Sequence, residues 1–390
     1  MATAQALVVP RVGAPFELRR VELDSLQPSE VLVELAATGI CHTDLAVQHG
    51  HVPMAFPAIL GHEGAGVVRA VGREVTAYEV GDHVILSYNF CGECRSCRAE
   101  KTYQCSTAQK QNFGGSRADG TSPIVAQSGR ISACFFGQSS FCNPTIVQEA
   151  SCVKIDQTLP LEIVCALGCG FQTGAGAVYN VVKPLERGIR HVAVFGIGGV
   201  GCAAIMAANH LLSSLGEPSF NIVAIDVNRS RLELARELGA THVINSGDRT
   251  IKEAVLELTE GEGLDAAIDC TGALGVVNDM IALVGQGGIA VTVGGPSPGA
   301  KAAVDVFDML IRCKSYTGCH QGNAYAKKFI PWLADLYKRG HFPLEKLQKT
   351  YAAADINIAC DDMAKGKVIK PVLLWRYQGG LSEVFERCHC

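Results

Sequence analysis

The chain has 390 residues and a formal net charge of −4; 48% of its residues are hydrophobic and 18% are charged. This composition excludes a disordered chain, and the slight acidic excess argues against nucleic acid or an anionic membrane as a partner. No apolar run reaches the roughly 18 residues that a membrane span needs, and the N-terminus lacks a signal-peptide pattern. We therefore expect a soluble, cytoplasmic protein of two or three domains.

The first part of the chain is predicted to be mostly β-strand up to about residue 85, because short Val-rich runs are separated by glycine. Residues 31–35 and 64–71 are examples, and a turn precedes a further strand at 84–86. From about 106 to 145 the chain is rich in glycine and serine and has little helical period. We expect a long loop or a set of short hairpins there.

Strands and helices alternate from about residue 171 onward, which indicates βαβ units around a parallel sheet. The predicted strands are 192–195, 222–226, 242–244, 266–269 and 289–293. The predicted helices are 200–212 and 231–238, and a helix over 324–338 and a strand over 372–375 follow. The stretch 211–220 is expected to hold a small insertion.

Four of the seventeen cysteines lie within fifteen residues, as Cys91-x2-Cys94-x2-Cys97-x7-Cys105. Four thiolates at this spacing can surround one tetrahedral Zn²⁺ and leave no position open, which indicates a structural zinc site. An iron–sulfur cluster shares the beginning of this spacing and stays an alternative. Disulfides are a further alternative, although a long intracellular chain rarely uses them.

A second set of ligands is dispersed along the chain. Cys41, His62 and Cys169 all lie in glycine-containing segments and together could hold a zinc ion whose fourth position stays open. An open zinc acts as a Lewis acid, Thr43 could pass a proton, and Asp44 could orient the His62 ring. Taken singly, each of these residues is also compatible with ordinary packing in the core.

A glycine-rich turn directly follows a predicted strand and opens a predicted helix. Gly196, Gly198, Gly199 and Gly201 occupy the pattern in which glycines allow a tight turn and a close approach to a pyrophosphate. Asp226 ends the next strand, where a carboxylate accepts the ribose hydroxyls of NAD and repels the extra phosphate of NADP. The alternative is a glycine turn without a ligand.

Together these three motifs resemble the zinc-dependent medium-chain alcohol dehydrogenases over about residues 5–375. Within that family the chain is most similar to the benzyl (aryl) alcohol dehydrogenases. The stretches that carry this similarity are 41–45, 81–88, 136–141, 168–176 and 327–331.

The resemblance implies an α/β architecture of two domains. A Rossmann domain, a doubly wound parallel sheet that binds NAD(H), is expected over 171–319. A β-rich GroES-like catalytic domain with the four-Cys zinc lobe is expected over 1–170 and 320–376, with the active site in the cleft between the domains and residues 377–390 as a tail. Relatives are homodimers or homotetramers, often joined through an edge strand of the nucleotide domain, for which 289–293 is the candidate.

The resemblance also implies roles at the metal. Cys41, His62 and Cys169 match the ligands of the catalytic zinc. Glu63 matches the carboxylate behind that zinc, and Thr43 matches the hydroxyl that takes the alcohol proton.

Further roles concern the coenzyme. Thr173 matches a residue packed against the nicotinamide, and Arg231 matches the cation beside the adenosine ribose. His42 and Lys370 stand where many relatives carry arginines for the pyrophosphate. Because neither side chain offers the bidentate fork of arginine, we expect looser and more pH-dependent coenzyme binding.

The sequence departs from the family pattern at the proton relay, because Ala46 replaces the histidine that many relatives carry. His49 and His51 lie nearby as candidate substitutes or as ordinary loop histidines. Tyr88 and Phe90 are candidate walls of the substrate pocket, with plain strand packing as the alternative. In the tail, 388–390 reads Cys-His-Cys, either a chelating motif or a disordered end.

The predicted reaction is reversible hydride transfer between a primary aryl or allylic alcohol and NAD, with two zinc ions per chain. The closest alternative is a zinc dehydrogenase for an aliphatic, polyol or specialised secondary-metabolite substrate. A zinc module that binds nucleic acid and a structural protein without activity are the alternatives from other classes.

Overall fold

The computed structural model describes residues 2–125, 130–213 and 220–375. The expected insertion near 214–219 and the tail beyond 376, with its Cys-His-Cys end, lie outside these residues. Among the described residues no single helix is both long and apolar enough to cross a membrane, although the bent pair Leu161–Gly168 and Gly170–Arg187 meets the length and composition criteria together.

The strands, in chain order, are β1 Thr3–Val9, β2 Glu17–Leu23, β3 Glu30–Gly39, β4 Ala58–Ile59, β5 Gly64–Val71, β6 His83–Leu86, β7 Ile124–Val125, β8 Cys142–Asn143, β9 Thr145–Gln148, β10 Cys152–Lys154, β11 His191–Phe195, β12 Asn221–Asp226, β13 His242–Asn245, β14 Leu264–Asp269, β15 Val284–Thr292, β16 Ser315–Gly318, β17 Gln348–Ala352 and β18 Lys370–Leu374. The helices are α1 His42–Gln48, α2 Arg95–Arg98, α3 Ala108–Phe113, α4 Leu161–Val164, α5 Gly170–Gly176, α6 Pro184–Arg187, α7 Gly199–Ser213, α8 Arg229–Glu237, α9 Ile251–Leu258, α10 Leu274–Leu283, α11 Val306–Ile311, α12 Ala326–Lys338 and α13 Ile356–Ala364. A π-helix, Ala177–Val182, continues α5.

The chain divides into two compact units. The first comprises the chain up to Cys169, the segment Ala326–Asp335 and the chain from Leu344 onward, and the second comprises Gly170–Tyr325 and Leu336–Pro343. The grouping of Leu336–Pro343 with the second unit was not predicted from the sequence.

The first unit is built on two largely antiparallel sheets. One has the order β4-β1-β2-β7, with β8 also paired to β1. The other has the order β10-β6-β5-β3-β18-β17, with β9 also paired to β3. The region expected to be loop or hairpins between 106 and 145 also contains α3, a short helix that the sequence interpretation missed because it covers fewer than two turns.

The second unit holds a six-stranded parallel sheet of order β13-β12-β11-β14-β15-β16. Its central strands are buried on both faces, as expected when helices cover a parallel sheet. The chain winds outward in one direction through β12 and β13 and then in the other through β14, β15 and β16. The predicted doubly wound α/β fold is therefore confirmed, and the glycine turn after β11 lies at its switch point.

The prediction that 289–293 forms an edge strand is wrong. Those residues lie almost entirely in β15, which pairs with β14 on one side and β16 on the other. The edge strands are β16 on this side and β13 on the other. The order of parallel strands depends on tertiary packing, which the sequence of a single strand does not encode.

Candidate functional site

Four potential metal ligands converge in the first unit. Cys41 precedes α1, His62 and Glu63 lie between β4 and β5, and Cys169 ends the first of the three segments that form this unit. One ligand atom from each of these four side chains lies within 4.8 Å of those of the others. The structure thus brings together residues that are up to 128 positions apart in the chain.

Asp44 organises this centre from the first turn of α1. Its carboxylate accepts from the Cys41 backbone N–H at 2.9 Å, from the Gly61 N–H at 3.0 Å, and from Nδ1 of His62 at 3.0 Å. The Nδ1 proton is therefore directed to Asp44, and Nε2 of His62 is buried with no hydrogen-bond partner among the described residues. A buried imidazole nitrogen beside two thiols is the donor set that a zinc ion requires, so the residues fit the expected metal.

The two thiols of the centre differ electrostatically, since a hydrogen bond to Cys41, together with burial, raises the pKa of Cys169 well above its usual value. A hydrogen bond with Cys169, aided by the nearby His62, lowers the pKa of Cys41 well below its usual value. Since a metal is bound by thiolate and not by thiol, this environment favours the ligating form of Cys41.

Glu63 forms a buried ion pair at the edge of this cluster. Nζ of Lys370 lies 2.8 Å from both carboxylate oxygens and also donates to the Ile40 carbonyl oxygen at 3.1 Å. Burial raises the pKa of Glu63, whereas burial at Lys370 is outweighed by Glu63 and the two thiols, which raise the pKa of its ammonium group. All three ammonium protons are thereby used, so the predicted contact of Lys370 with pyrophosphate requires one of these bonds to be exchanged.

Replacing Lys370 with methionine is expected to lower the free energy of unfolding by about 3–5 kcal/mol, because it leaves the buried Glu63 carboxylate without a countercharge. The measurement is urea denaturation at neutral pH. Lys365→Met is the matched control, because the Lys365–Asp361 pair is exposed and such pairs contribute about 0–1 kcal/mol. Equal losses in the two variants would contradict the assigned role of Lys370.

The other residues predicted near the metal lie on or beside α1. The Thr43 hydroxyl is 3.7 Å from the Cys41 sulfur, so it lies beside the metal centre, and the proton transfer stays a prediction. His42 is exposed at the start of α1. His49 is exposed and its Nδ1 lies 2.8 Å from a backbone carbonyl oxygen, with the His51 ring stacked at 6.1 Å.

An aromatic cluster against His62 was missed by the sequence interpretation. The Phe136 ring stacks on the His62 ring at 4.4 Å, and the Phe135 ring meets it edge-on at 5.4 Å. The partly exposed Phe113 packs edge-on against both phenylalanines. The signal in the sequence was Phe136, which begins one of the stretches that carry the family resemblance and directly follows Phe135.

Tyr88 and Phe90 pack against each other, with ring centroids 6.2 Å apart. The Tyr88 side chain is buried, and its hydroxyl lies 2.5 Å from the Thr102 hydroxyl. Burial raises the pKa of this phenol. The hydroxyl of Tyr88 is thus directed toward the four-Cys lobe, and the predicted contact of these two rings with substrate stays a prediction.

The four-Cys lobe places its thiols at metal-binding distances. The Cys91 sulfur lies 3.5 Å from that of Cys105 and 3.9 Å from that of Cys97, and Cys94 belongs to the same cluster. A tetrahedron with Zn–S bonds of about 2.3 Å has edges of about 3.8 Å. The lobe therefore fits a closed structural zinc site.

The glycine turn of the second unit forms a cradle beside Asp226. Gly196 adopts φ +87°, and a Cβ at Gly201 would collide with the Gly196 carbonyl oxygen, so both positions require glycine. Space around Gly198 is open. Asp226 accepts from the Ile197 N–H at 2.7 Å, which fixes its carboxylate beside the turn. Gly199 is the first residue of α7, whose N-terminus suits a phosphate.

Two further predicted coenzyme residues belong to the second unit. Arg231 lies in α8, and its Nε is buried without a hydrogen-bond partner among the described residues. Such an orphaned donor fits a polar ligand at this position. Thr173 is half-buried in α5.

Comparisons with known proteins agree with this architecture. Residues 27–157 match the alcohol dehydrogenase GroES-like domain, and residues 199–336 match the zinc-binding dehydrogenase domain. A geraniol dehydrogenase from Castellaniella defragrans is 36% identical over 96% of this chain and 98% of its own. An S-(hydroxymethyl)glutathione dehydrogenase from Synechocystis is 35% identical over 95% of this chain and 99% of its own.

The crystal structure of a benzyl alcohol dehydrogenase from Acinetobacter calcoaceticus superposes with a TM-score of 0.90 and is 39% identical, covering 96% of this chain and all of that one. The resemblance predicted from the sequence is thereby confirmed, together with the expectation of zinc and NAD as cofactors. The chain belongs to the zinc-dependent medium-chain alcohol dehydrogenase family.

Proposed function

We propose that this dehydrogenase oxidises primary aryl or allylic alcohols to aldehydes with NAD⁺, at a metal centre formed by Cys41, His62 and Cys169. The observation that carries the substrate class is the partly exposed ring of Phe113, which packs on the buried Phe135 and Phe136 beside His62. Flat aromatic faces favour flat, unsaturated substrates. The names of the geraniol and benzyl alcohol dehydrogenases to which the chain is similar support the same class.

The chemistry supplied by bound zinc and NAD is Lewis-acid polarisation of the substrate oxygen and exchange of a hydride. The chain positions the groups around that oxygen. Asp44 keeps the His62 proton on Nδ1, so that Nε2 faces the centre. The Thr43 hydroxyl accepts the proton of the alcohol. Because Lys370 neutralises Glu63, negative charge that develops on the substrate oxygen is not opposed by a free carboxylate.

The substrate class is tested by initial rates of NAD⁺ reduction with benzyl, cinnamyl and geraniol-type alcohols against aliphatic alcohols, polyols and S-(hydroxymethyl)glutathione. We expect the highest kcat/KM for the aryl and allylic alcohols. The glutathione adduct is the second candidate, because a relative with that activity is 35% identical. A preference for the adduct, an aliphatic alcohol or a polyol would contradict the aryl and allylic assignment.

Replacing Asp226 with asparagine is expected to change coenzyme selection. The amide oxygen can still accept from the Ile197 N–H, but the charge that binds the ribose hydroxyls and repels a 2′-phosphate is lost. A hydrogen bond to a charged group contributes about 1.5–3 kcal/mol, so kcat/KM with NAD⁺ should fall about 10–150-fold. The measurement is the ratio of kcat/KM for NAD⁺ and NADP⁺. An unchanged ratio would contradict the role of Asp226.

We further propose that the chain acts as a homodimer or homotetramer in the cytoplasm. The support is α11, in which no residue is buried and Val306, Phe307 and Leu310 are 75%, 70% and 72% exposed, close in the chain to the edge strand β16. An apolar surface of this kind favours association. Phe307→Asp should yield monomers in analytical ultracentrifugation.

The cytoplasm suits sites built from reduced thiolates.

A further inference from the structure

The backbone is strained in the segment Cys134–Ser139, which we call the 134–139 clamp. Cys134, Phe136 and Ser139 have φ values of 68°, 53° and 43°. A residue other than glycine in this left-handed region costs about 1–3 kcal/mol, and such residues concentrate where the surrounding structure enforces them for a function.

Buried hydroxyl groups enforce this conformation. Ser139 donates to the Ile59 carbonyl oxygen at 2.7 Å and accepts from the Phe135 N–H at 2.9 Å. Ser151 donates to the Phe136 carbonyl oxygen at 3.0 Å. The clamp is therefore fixed on both sides by interactions that do not involve the metal ligands.

The clamp contacts His62 in three ways. The Phe136 ring lies nearly parallel to the imidazole, at 4.4 Å with an interplanar angle of 20°, and the Phe135 ring meets it at 85°. The Gln138 amide nitrogen donates to the His62 carbonyl oxygen at 3.0 Å. Both the ring and the backbone of His62 are thus held by one segment.

Gln138 extends this support to a second ligand. Its amide nitrogen also donates to the Ser87 carbonyl oxygen at 2.9 Å, and the Ser87 hydroxyl donates to the Gly168 carbonyl oxygen at 2.6 Å, directly before Cys169. The Gln138 amide oxygen accepts from the Gly64 N–H at 3.3 Å. Gln138 is completely buried and Ser87 is 1% exposed, so this path is shielded from water.

We propose that Gln138 is a positioning residue of the metal centre, which sets the separation of the backbone segments carrying His62 and Cys169. The inference rests on the proposed metal role of these two residues. Groups behind metal ligands that fix their orientation typically contribute 10–100-fold to metal affinity. We therefore expect Gln138 to affect retention of the catalytic zinc, with no effect on the zinc of the four-Cys lobe.

The test compares Gln138→Met with Gln48→Met in the complete, zinc-loaded protein. Both replace a buried amide by an apolar side chain of similar length, but the Gln48 amide donates to the Ala14 carbonyl oxygen and not to a ligand-bearing segment. The readouts are the zinc content per chain during titration with a chelator and the absorption bands of the cobalt-substituted protein. We expect 10–100-fold weaker retention of one of the two metal ions, and shifted cobalt bands, in Gln138→Met only.

The outcomes separate this inference from the proposed function. A wild-type protein that holds only one zinc, in the four-Cys lobe, would refute the metal role of His62 and Cys169. Two zinc ions in the wild type with equal retention in both variants would overturn the role of Gln138 alone. If Gln138→Met does not fold, Ser87→Ala is the second test, because it removes the bond from the Ser87 hydroxyl to Gly168 and leaves the Gln138 side chain unchanged. Unchanged zinc retention in that variant would overturn the inference.

Discussion

Replacing Cys41 with alanine is expected to lower kcat/KM for alcohol oxidation about a thousandfold or more and to reduce the zinc content from about two ions per chain to about one. The Cys41 sulfur is one of two thiols in the centre, and its environment favours the thiolate. A bound metal stabilises transition-state charge by several kcal/mol, and about 4 kcal/mol corresponds to three orders of magnitude in rate.

The matched control is Cys142→Ala. Cys142 is buried in the first unit, but its thiol donates to the Pro144 carbonyl oxygen at 3.4 Å and belongs to neither cluster of potential metal ligands. This variant should keep two zinc ions and full activity. A Cys41→Ala variant that retains wild-type activity and both zinc ions would refute the proposed centre.

Replacing Cys97 with alanine is expected to remove the zinc of the four-Cys lobe and to lower the melting temperature strongly. Structural zinc contributes to folding directly, and even a loss of about 3 kcal/mol lowers Tm by about 6–12 °C in a folding unit of about 150–250 residues. The lobe also supplies Thr102, whose hydroxyl is the partner of the Tyr88 hydroxyl. Loss of the zinc is therefore expected to disturb Tyr88, the residue after Ser87. The measurements are zinc content and differential scanning calorimetry.

Cys313→Ala is the control for this experiment, because the Cys313 thiol is exposed and distant in sequence from the lobe. The same preparation of the wild type tests the iron–sulfur alternative. Iron in the purified protein, with the visible absorption of an iron–sulfur cluster, would contradict the zinc assignment.

Features that depend on local chemistry could be predicted from the sequence. The turn at Gly196 was recognisable because a strand, a glycine pattern and a helix follow one another directly. The ligands Cys41, His62 and Cys169 could be proposed because their residue types match a zinc site. Distances in the structure add that these side chains, together with Glu63, meet in one cluster.

Features that depend on distant packing could not be predicted. Lys370 pairs with a carboxylate 307 positions away, so its buried ion pair has no signature in the sequence. Gln138 gave no signal because an isolated glutamine has no characteristic neighbours. The edge position of β16 depends on the order of strands in the sheet, which local periodicity does not contain.

The proposed transfer of a hydride from the alcohol to NAD⁺ is tested most directly by isotopic labelling. Benzyl alcohol carrying deuterium at both C1 positions is incubated with the zinc-loaded enzyme and NAD⁺, and both products are analysed by mass spectrometry. We expect singly deuterated benzaldehyde and one deuterium in the reduced nicotinamide, in equal amounts, and formation of both products at least about a thousandfold more slowly by the Cys41→Ala variant. Absence of deuterium from the reduced coenzyme, or deuterium transfer by the variant at the rate of the wild type, would contradict the proposed reaction and its metal centre.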